Sequence, residues 1–593
     1  MSNPLQFYIR EKQLFQEQLS TVKRRLTQSS LLRLVVFCAI CAAVYFFFGN
    51  TQLLVPIVVV GVVVFSLLVL RYAALTDKKK KLQALIYINT VEIEALHRNV
   101  SNLETGKEYE DQLHKFSYDI DLFGKGSFFQ YLNRTVLVSG KRLLVDLLTS
   151  NNTEGIDKKQ EVVKELSEKP RWRQDFSATG SLVEPEFSAE EILTWLKSHK
   201  NFAPAVMKFM PIVFGVISLG ILVLNYLALV PLSVTVLWFF IGLGITAIYL
   251  KKINVFYHNV NKAKDTFKQY YQLLHLIEVE NFASEVLKQK QQAIKTETKK
   301  ASEIFREFSK TLDAFDQRNN MLVGVVANGF ALRDIQLCYK IEQWIATYVH
   351  QVENWFEVIA FFDAYNSLGN YTYNHPEHTF PQLSLSNFVI DAHDLGHPLI
   401  SETSRINNNF SIENEQFFII TGANMAGKST FLRTVSLSII MANSGLPVCA
   451  SRFTYSPIKL ITSMRTSDSL SDDESYFFSE LKRLKMIVEE ISDKKEQSNY
   501  FIILDEILKG TNSQDKAIGS RKFVERLVAS NSTGIIATHD LSLCEIEKEL
   551  PEVKNHYFDA EIIDDELHFD YKFKDGICKN MNASFLLKKM DIV

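Results

Sequence analysis

Four long apolar runs, grouped in two pairs, constrain the fold of this chain more than any other feature of its sequence. The first pair covers residues 34–48 and 53–70, and the second covers residues 210–230 and 232–250. A helix of about 20 residues, rising about 1.5 Å per residue, crosses the roughly 30 Å hydrocarbon layer of a bilayer. Because a soluble core rarely supplies four such runs, the pattern predicts two transmembrane helical hairpins.

The charges beside these runs predict how the hairpins are oriented. Lysine and arginine flank both hairpins, at Lys23, Arg24, Arg25, Arg71, Lys78 to Lys81, Lys208, Lys251 and Lys252, whereas the two short connecting loops contain neither. By the positive-inside rule the loops face outward and the rest of the chain is cytoplasmic. We therefore expect a multi-pass protein of the inner or plasma membrane, with four spans.

The overall composition excludes several classes of protein. Lys+Arg total 65 and Asp+Glu total 68, which gives a net charge of -3 and no bulk basicity of the kind that indicates a nucleic-acid partner. Six scattered cysteines indicate neither a disulfide framework nor a zinc pattern, and they suit a reducing compartment. At 593 residues the chain is long enough for several folded units.

Changes in composition along the chain predict six segments. The apolar runs bound a cytoplasmic amino-terminal segment and a helical domain between the hairpins, and a stretch without Gly or Pro predicts long helical arms after them. From about residue 380, short β-branched runs alternate with helical patterns, which predicts a parallel sheet flanked by helices. The predicted segments are 1–30, hairpin 31–75, helical domain 76–204, hairpin 205–252, arms 253–380 and α/β domain 381–593.

A phosphate-binding loop is predicted at the start of the α/β segment. The apolar residues 417–421 predict a buried strand, and they run directly into GANMAGKS at residues 422–429 and then into a helical pattern. In this GxxxxGKS arrangement backbone N–H groups wrap a phosphate, Lys428 reaches the outer phosphates, and Ser429 offers a hydroxyl to magnesium. The predicted nucleotide-binding residues are Gly422, Ala423, Asn424, Met425, Ala426, Gly427, Lys428, Ser429 and Thr430.

Two further predicted strands end in residues that suit nucleotide hydrolysis. The strand at 500–504 is followed by Asp505, a magnesium ligand, and by Glu506, a general base for the attacking water. The strand at 534–538 is followed by His539, which we expect to contact the γ-phosphate. Each residue also has a structural alternative, a helix cap or surface acid for the carboxylates and a hydrogen-bonded loop residue for the histidine. Together they predict an ATPase that uses ATP and Mg2+.

These residues resemble the MutS family, the DNA mismatch-repair ATPases related to ABC ATPases. The block TGANMAGKSTFLRTVSLSIIMANSGLPVCA is similar to that family's phosphate loop, with Ala423 replacing its proline, and Gly396-His397-Pro398 is similar to its GRHP. Residues 505–511 resemble its DEIGRGT, with Leu508 and Lys509 replacing Gly and Arg. The resemblance implies an α/β P-loop ATPase domain, ABC-related, preceded by an α-helical core and lever region. Weaker likeness to that core and lever is found at residues 121–124, 132–135, 140–144, 160–163 and 356–368.

The resemblance also implies a homodimer that shares its ATP sites across the ATPase domains. In the family, a serine before the second carboxylate strand reaches the nucleotide of the partner subunit, and Ser475 in SYFFSE matches that position. The same serine could instead cap the helix that follows it. The glycine that the family has just before this serine is Glu474 here.

The departures from the family leave the client of the ATPase open. The family's mismatch-reading domain has no counterpart here, because about 100 residues with a membrane hairpin stand in its place. Five lysines, Lys288, Lys290, Lys295, Lys299 and Lys300, form a candidate contact for DNA phosphates or a solvated helix face.

The leading hypothesis is a membrane-anchored, MutS-like ATPase whose dimer couples ATP to movement of helical arms, with double-stranded DNA as candidate ligand. The alternative is an ATP-driven membrane scaffold or signalling switch that no longer binds DNA; a half-transporter is disfavoured by the wide separation of the hairpins.

Overall fold

The computed structural model describes residues 3–183, 187–296, 299–384, 387–465, 476–492, 499–509, 511–563 and 566–578. In these ranges a long helical part is followed by an α/β part. The helices are α1 Pro4–Phe46, α2 Thr51–Leu96, α3 Phe128–Leu132, α4 Val138–Thr149, α5 Ile156–Ser167, α6 Pro170–Gly180, α7 Ala189–Ser198, α8 Met210–Tyr226, α9 Leu232–Val279, α10 Glu285–Ala293, α11 Ala301–Asp316, α12 Met321–Ala331, α13 Arg333–Asn374, α14 Lys428–Asn443, α15 Tyr476–Ser492 and α16 Ser513–Ala529. The strands are β1 Gln382–Leu383, β2 Phe388–Leu395, β3 Asn408–Glu413, β4 Phe417–Gly422, β5 Arg452–Tyr455, β6 Lys459–Ser463, β7 Tyr500–Asp505, β8 Thr533–Ala537, β9 Val553–Phe558, β10 Glu561–Ile563, β11 Glu566–His568 and β12 Lys574–Asp575.

The first predicted hairpin is formed by α1 and α2, which pack against each other along their length. Both helices continue well beyond the apolar runs, to 43 and 46 residues, so their polar ends reach the helical core. There the Tyr8 hydroxyl donates a 2.7 Å hydrogen bond to Asn374 Oδ1, and Arg171 pairs with Glu11 at 2.6 Å. The amino-terminal end of α1 is thereby fixed to α13 and α6.

Within the residues that the structure describes, three helices, α1, α2 and α9, are long and apolar enough to cross a membrane. The predicted third span differs, because α8 ends at Tyr226 and has only 17 residues, whereas the apolar run continues to residue 230. The helix stops early because Ala228 is left-handed, with φ of 58°, and because Pro231 disfavours helical backbone in the residue before it.

An aromatic cluster holds together α11, α13 and the part of α9 that follows its apolar run. The residues at helical spacing in α11, Phe305, Phe308, Leu312 and Phe315, are all buried, as their spacing predicts. The ring of Phe308 stacks on that of Trp344 with centroids 3.6 Å apart. This packing makes α9 and α13 parts of one helical body, and α13 ends directly before the α/β part.

The α/β part contains a six-stranded sheet of order β12-β9-β4-β8-β7-β6. All pairs in it are parallel except β12 with β9, which confirms the predicted parallel sheet. Every residue of β4 and β8 is buried, as expected for central strands covered on both faces. The carboxyl ends of β4, β7 and β8 therefore lie at one edge, where the predicted chemistry is placed.

Candidate nucleotide site

The loop at residues 422–427 connects β4 to α14 and needs glycine at both ends. Gly422 has φ of 149°, and a Cβ atom there would lie 2.5 Å from the Phe558 carbonyl oxygen. Gly427 has φ of 101° and immediately precedes the first residue of α14. Only glycine adopts these conformations without a steric penalty. They turn the loop around the amino terminus of a helix, where backbone N–H groups favour an anion.

Lys428 is folded over the loop and is almost completely buried. Its ammonium donates hydrogen bonds to the carbonyl oxygens of Gly422 at 2.7 Å and Ala423 at 2.9 Å. Burial lowers the pKa of Lys428, while the carboxylates of Asp505 and Glu506 act in the opposite direction. A cation held here by neutral carbonyl groups can transfer its hydrogen bonds to phosphate oxygens.

Ser429 and Asp505 are brought together from different elements. The Ser429 hydroxyl, in the first turn of α14, donates a 2.7 Å hydrogen bond to Asp505 Oδ2, at the end of β7. A hydroxyl and a carboxylate oxygen are ligands that Mg2+ accepts, and Mg2+ usually completes its shell with water and substrate phosphates. The donor set therefore fits a magnesium ion bound together with a nucleotide.

Glu506 is held by two lysines beside the loop. Its Oε1 atom lies 3.1 Å from Lys516 Nζ, and its Oε2 atom lies 3.6 Å from Lys509 Nζ. Burial alone would raise the pKa of Glu506, but the hydrogen bond from Lys516 and the charge of Lys509 outweigh it and hold that pKa below its usual value. The carboxylate is thus ionised and oriented, which a general base requires.

His539 follows β8 and is the fifth side chain of the site. Its Nε2 atom lies 3.5 Å from Lys428 Nζ. Burial, assisted by the positive charge of Lys428, lowers the pKa of His539, so the imidazole is neutral at physiological pH. The structure therefore places Lys428, Ser429, Asp505, Glu506 and His539 at one site, as the sequence predicts.

These side chains line a cavity of about 630 Å³ between the phosphate loop and the segment that connects β2 to β3. The lining also includes residues to which the sequence assigned no contact, namely His397, Ile400, Arg405, Ile406, Phe431 and Tyr571. Burial, assisted by the positive charges of Arg433 and Arg405, lowers the pKa of His397 to about 4, so the cavity presents a neutral imidazole and aromatic rings as well as cations. The rings and aliphatic side chains suit an aromatic base, and the loop N–H groups and cations suit phosphates.

Lys516 and Glu480 are contributors that sequence reasoning missed. Lys516 lies ten residues after Glu506, on α16, and no local pattern of the sequence indicates that it faces the site. The buried carboxylate of Glu480, on α15, accepts hydrogen bonds from the backbone N–H groups of Leu508 and Lys509. It therefore fixes the loop that follows Glu506. Leu508 stands in that loop with a left-handed φ of 60°, at the position where the resembling motif has glycine.

Ser475 and the five lysines are the remaining predicted site residues. Ser475, the predicted residue acting in the partner subunit, lies outside the described residues. Among the five lysines predicted to contact DNA, Lys288 pairs with Glu285 at 2.8 Å and Lys299 pairs with Glu307 at 2.9 Å. Lys290 lies over the ring of Phe361, whereas Lys295 and Lys300 are exposed.

Comparison with known proteins finds a family that resembles the part of the chain carrying the site. Residues 418–588 match the family described as MutS domain V. This part of the chain is similar to the MutS domain V. The MutS domain V is an ATPase domain, and the matched residues include the phosphate loop, α14, β7 and β8, and therefore the five side chains named above.

Relatives of the chain agree with this similarity. It is 30% identical over 197 residues to the human protein called MutS protein homolog 4, which is 31% of this chain and 20% of that protein. It is 31% identical over 186 residues to the DNA mismatch repair protein MutS of Thermotoga petrophila, which is 30% of this chain and 23% of the relative. With the protein of the same name from Staphylococcus aureus MRSA252 it shares 25% identity over 286 residues, 47% of this chain and 32% of the relative. The matches thus span only a fifth to a third of these relatives.

Proposed function

We propose that this chain is a membrane-anchored ATPase of the MutS type, in which the nucleotide state moves helical arms connected to membrane segments. The observation that carries the proposal is the 2.7 Å hydrogen bond between Ser429 and Asp505, beside Lys428 and Glu506, within a MutS domain V. In P-loop nucleotide hydrolases a hydroxyl of the phosphate loop and an aspartate at a strand end hold the magnesium ion of the bound nucleotide, and Ser429 and Asp505 have this arrangement.

Each side chain has a role that its surroundings support. The loop N–H groups and Lys428 bind and orient the terminal phosphates, and Ser429 and Asp505 hold magnesium, which when bound neutralises phosphate charge. Glu506 orients the attacking water and accepts its proton, because Lys516 and Lys509 keep this carboxylate ionised. His539 contacts the γ-phosphate as a neutral hydrogen-bonding group.

Contacts between the MutS domain V and the helical core provide a route from the site to the arms. Asp121, in the core, pairs with Arg433 of α14 at 3.3 Å and with Arg465 after β6, where one contact is 2.7 Å. Because α14 begins at Lys428, a shift of that helix on nucleotide binding is transmitted to Asp121 and the core packed around α13. We propose that α9 and α13 are the moving arms.

The membrane part of the proposal rests on the length and composition of α1, α2 and α9 together with α8. It is tested by cysteine substitution at Asn50 and Pro231, in a chain whose exposed Cys38 and Cys41 are replaced by serine. Both introduced cysteines should react with an impermeant thiol reagent added to intact cells, while a cysteine at Ser2 should not. Labelling at Ser2, or at none of the three positions, would contradict the proposed topology.

The enzymatic part is tested with the full chain in lipid nanodiscs. We expect Mg2+-dependent ATP hydrolysis that is lost in both Lys428→Ala and Glu506→Gln. Glu506→Gln should still bind ATP, because the phosphate contacts remain, whereas Lys428→Ala should not bind tightly. Native turnover by Glu506→Gln would remove this residue from the mechanism.

Double-stranded DNA is the candidate for the molecule on which the ATPase acts. It is favoured by the names of the relatives from Thermotoga and Staphylococcus, and by the exposure of Lys295 and Lys300. The ion pairs of Lys288 and Lys299 reduce the positive charge available to phosphates. A membrane switch without DNA is the competing function, and a salt-dependence experiment argued below separates the two.

A further inference from the structure

The helix α12 presents an apolar surface that the helical core does not cover. Its sequence, MLVGVVANGFA, contains no charged residue. Met321 and Leu322 are each 79% exposed, and Val326 is 53% exposed. Exposing such side chains to water costs about 25 cal/mol per Å² of apolar surface, so a cluster of them on one short helix indicates another environment.

This helix packs on the apolar part of the second hairpin. The carbonyl group of Gly329 lies directly against Gly242 of α9, where any Cβ atom would clash. Ser218 Oγ, on α8, donates a 2.7 Å hydrogen bond to the Phe330 carbonyl oxygen and receives one of 2.8 Å from Trp238 Nε1. Close contact at glycines and serine hydrogen bonds between helices are the means by which membrane helices associate.

Charged and polar residues at both ends of α12 meet on one side. Arg318, just before the helix, donates 2.9 Å hydrogen bonds to Asp334 Oδ2, just after it, and to Asn254 Oδ1. Asn254 belongs to the part of α9 beyond Lys252, where the apolar run has ended. The chain therefore enters and leaves the apolar region of α8 and α9 on the same side.

The length of α12 agrees with this geometry. Its 11 residues extend about 16 Å at 1.5 Å per residue, which is roughly half of the hydrocarbon layer. At Leu332, which is left-handed with φ of 49°, the chain bends by 84° into α13. Because α13 starts with Arg333 and Asp334 and packs in the aromatic core, it does not continue across the layer.

We propose that α12 is a membrane-inserted, non-spanning helix whose exposed face contacts lipid acyl chains in the cytoplasmic leaflet. This inference rests on the proposed membrane anchoring and adds a fifth apolar element to it. Lipid is favoured over a second copy of the chain because the exposed side chains, Met321, Leu322, Val323, Val325 and Val326, are uniformly aliphatic or thioether. The side chain of Asn328 is already used within the fold, where it accepts a 2.9 Å hydrogen bond from the backbone of Asp334.

The position of α12 couples its movement to that of α13. It is joined through one residue to α13, the 42-residue helix that ends beside the MutS domain V. Any displacement of α13 along its axis therefore moves α12 within the leaflet. The nucleotide site would thus act on the bilayer through α12 as well as through the spanning helices.

Depth-dependent fluorescence quenching tests the proposal with the full chain in liposomes. Three variants, each with one introduced cysteine in the background without Cys38 and Cys41, carry an environment-sensitive fluorophore at Leu322, Val216 or Lys310, and the four remaining cysteines are buried. Val216 is 67% exposed on α8 and marks the apolar region, and Lys310 is exposed on α11 and marks the cytoplasmic side. The probes are phosphatidylcholine brominated on its acyl chains and aqueous iodide.

Each pattern of quenching has one meaning. If α12 is inserted, the label at Leu322 is quenched by brominated lipid as at Val216 and is protected from iodide at least several-fold relative to Lys310. Iodide quenching at Leu322 with lipid quenching at Val216 overturns the insertion of α12 but leaves the anchor intact. Protection from both quenchers, with disulfide formation between two Leu322→Cys chains, overturns it in favour of a second copy. Iodide quenching at both Leu322 and Val216 overturns the membrane anchor itself. If the variant at Leu322 does not fold, Val326→Cys replaces it.

Discussion

Lys516 Nζ lies 3.1 Å from Glu506 Oε1, so the proposed general base is paired with a cation on the following helix. This contact lowers the pKa of Glu506 and keeps the carboxylate ionised at pH values below the usual range for glutamate. A base must be deprotonated to accept a proton from water, so the rate of hydrolysis falls as the pH drops through its pKa. The pair therefore extends activity towards acid pH.

Replacing Lys516 by Met should raise the pKa of Glu506 and move the acid limb of the rate–pH profile to higher pH. Lys516→Arg is the matched control, because it retains the positive charge and should leave the limb near its native position. The measurement is the steady-state ATPase rate at saturating Mg-ATP across the pH range. A profile of Lys516→Met that superimposes on the native one would show that the pair does not control the base.

The backbone at Leu508 provides a second prediction, on stability. Leu508 is buried, yet its φ of 60° is a conformation that costs an L-residue roughly 1–2 kcal/mol. Leu508→Gly and Leu508→Ala both remove the packing of the side chain, but only glycine relieves the backbone. We expect Leu508→Gly to be more stable than Leu508→Ala by about 1 kcal/mol, measured by chemical denaturation. The opposite order would mean that the residue is not held in the left-handed region.

Two aspartates at the junction of core and ATPase domain should differ in their contributions to stability. Asp119 is buried, accepts hydrogen bonds from Thr462 Oγ1 and the backbone of Arg465, and lies 3.6 Å from Arg483. Asp121 is more exposed although it pairs with two arginines. Asp119→Ala removes the carboxylate beside the largely buried Arg483 and leaves two donors without their acceptor, so it should cost about 3 kcal/mol or more, whereas Asp121→Ala should cost about 1 kcal/mol or less. Equal losses in thermal or chemical unfolding would contradict this difference.

The sequence predicted the chemistry of the site more completely than its surroundings. The phosphate loop, Asp505, Glu506 and His539 were identifiable because each follows a short apolar strand, and parallel strands bring their carboxyl ends to one edge. Lys516 and Glu480 were not, because their roles depend on how α16 and α15 turn towards the loop, which local patterns do not encode. The proposed insertion of α12 was not predicted for a similar reason, since 11 apolar residues are too few for a span and resemble a buried helix.

Sharing of the ATP site between subunits is a prediction that depends on Ser475. If this serine reaches the nucleotide of the partner subunit, Lys428→Ala and Ser475→Ala chains are each inactive alone. A mixed dimer contains one composite site with both residues native, so mixing equal amounts should restore up to about a quarter of the native rate, given random pairing. Subunit exchange is verified by differential labelling, and absence of recovery in exchanged dimers would argue against the shared site.

The final prediction concerns DNA, and the salt dependence of binding decides it. Each phosphate contact by a lysine contributes about 0.9 to the slope of log affinity against log salt on duplex DNA. Lys295 and Lys300 are exposed, whereas the Lys288 ammonium already pairs with Glu285, so Lys295→Gln and Lys300→Gln should each lower the slope by about one and Lys288→Gln by less. Equal slopes for all variants would exclude these three lysines from DNA contact. No binding by the native chain at low salt with ATP would instead favour the membrane switch, because a clamp on DNA needs at least this sequence-independent attraction to phosphates.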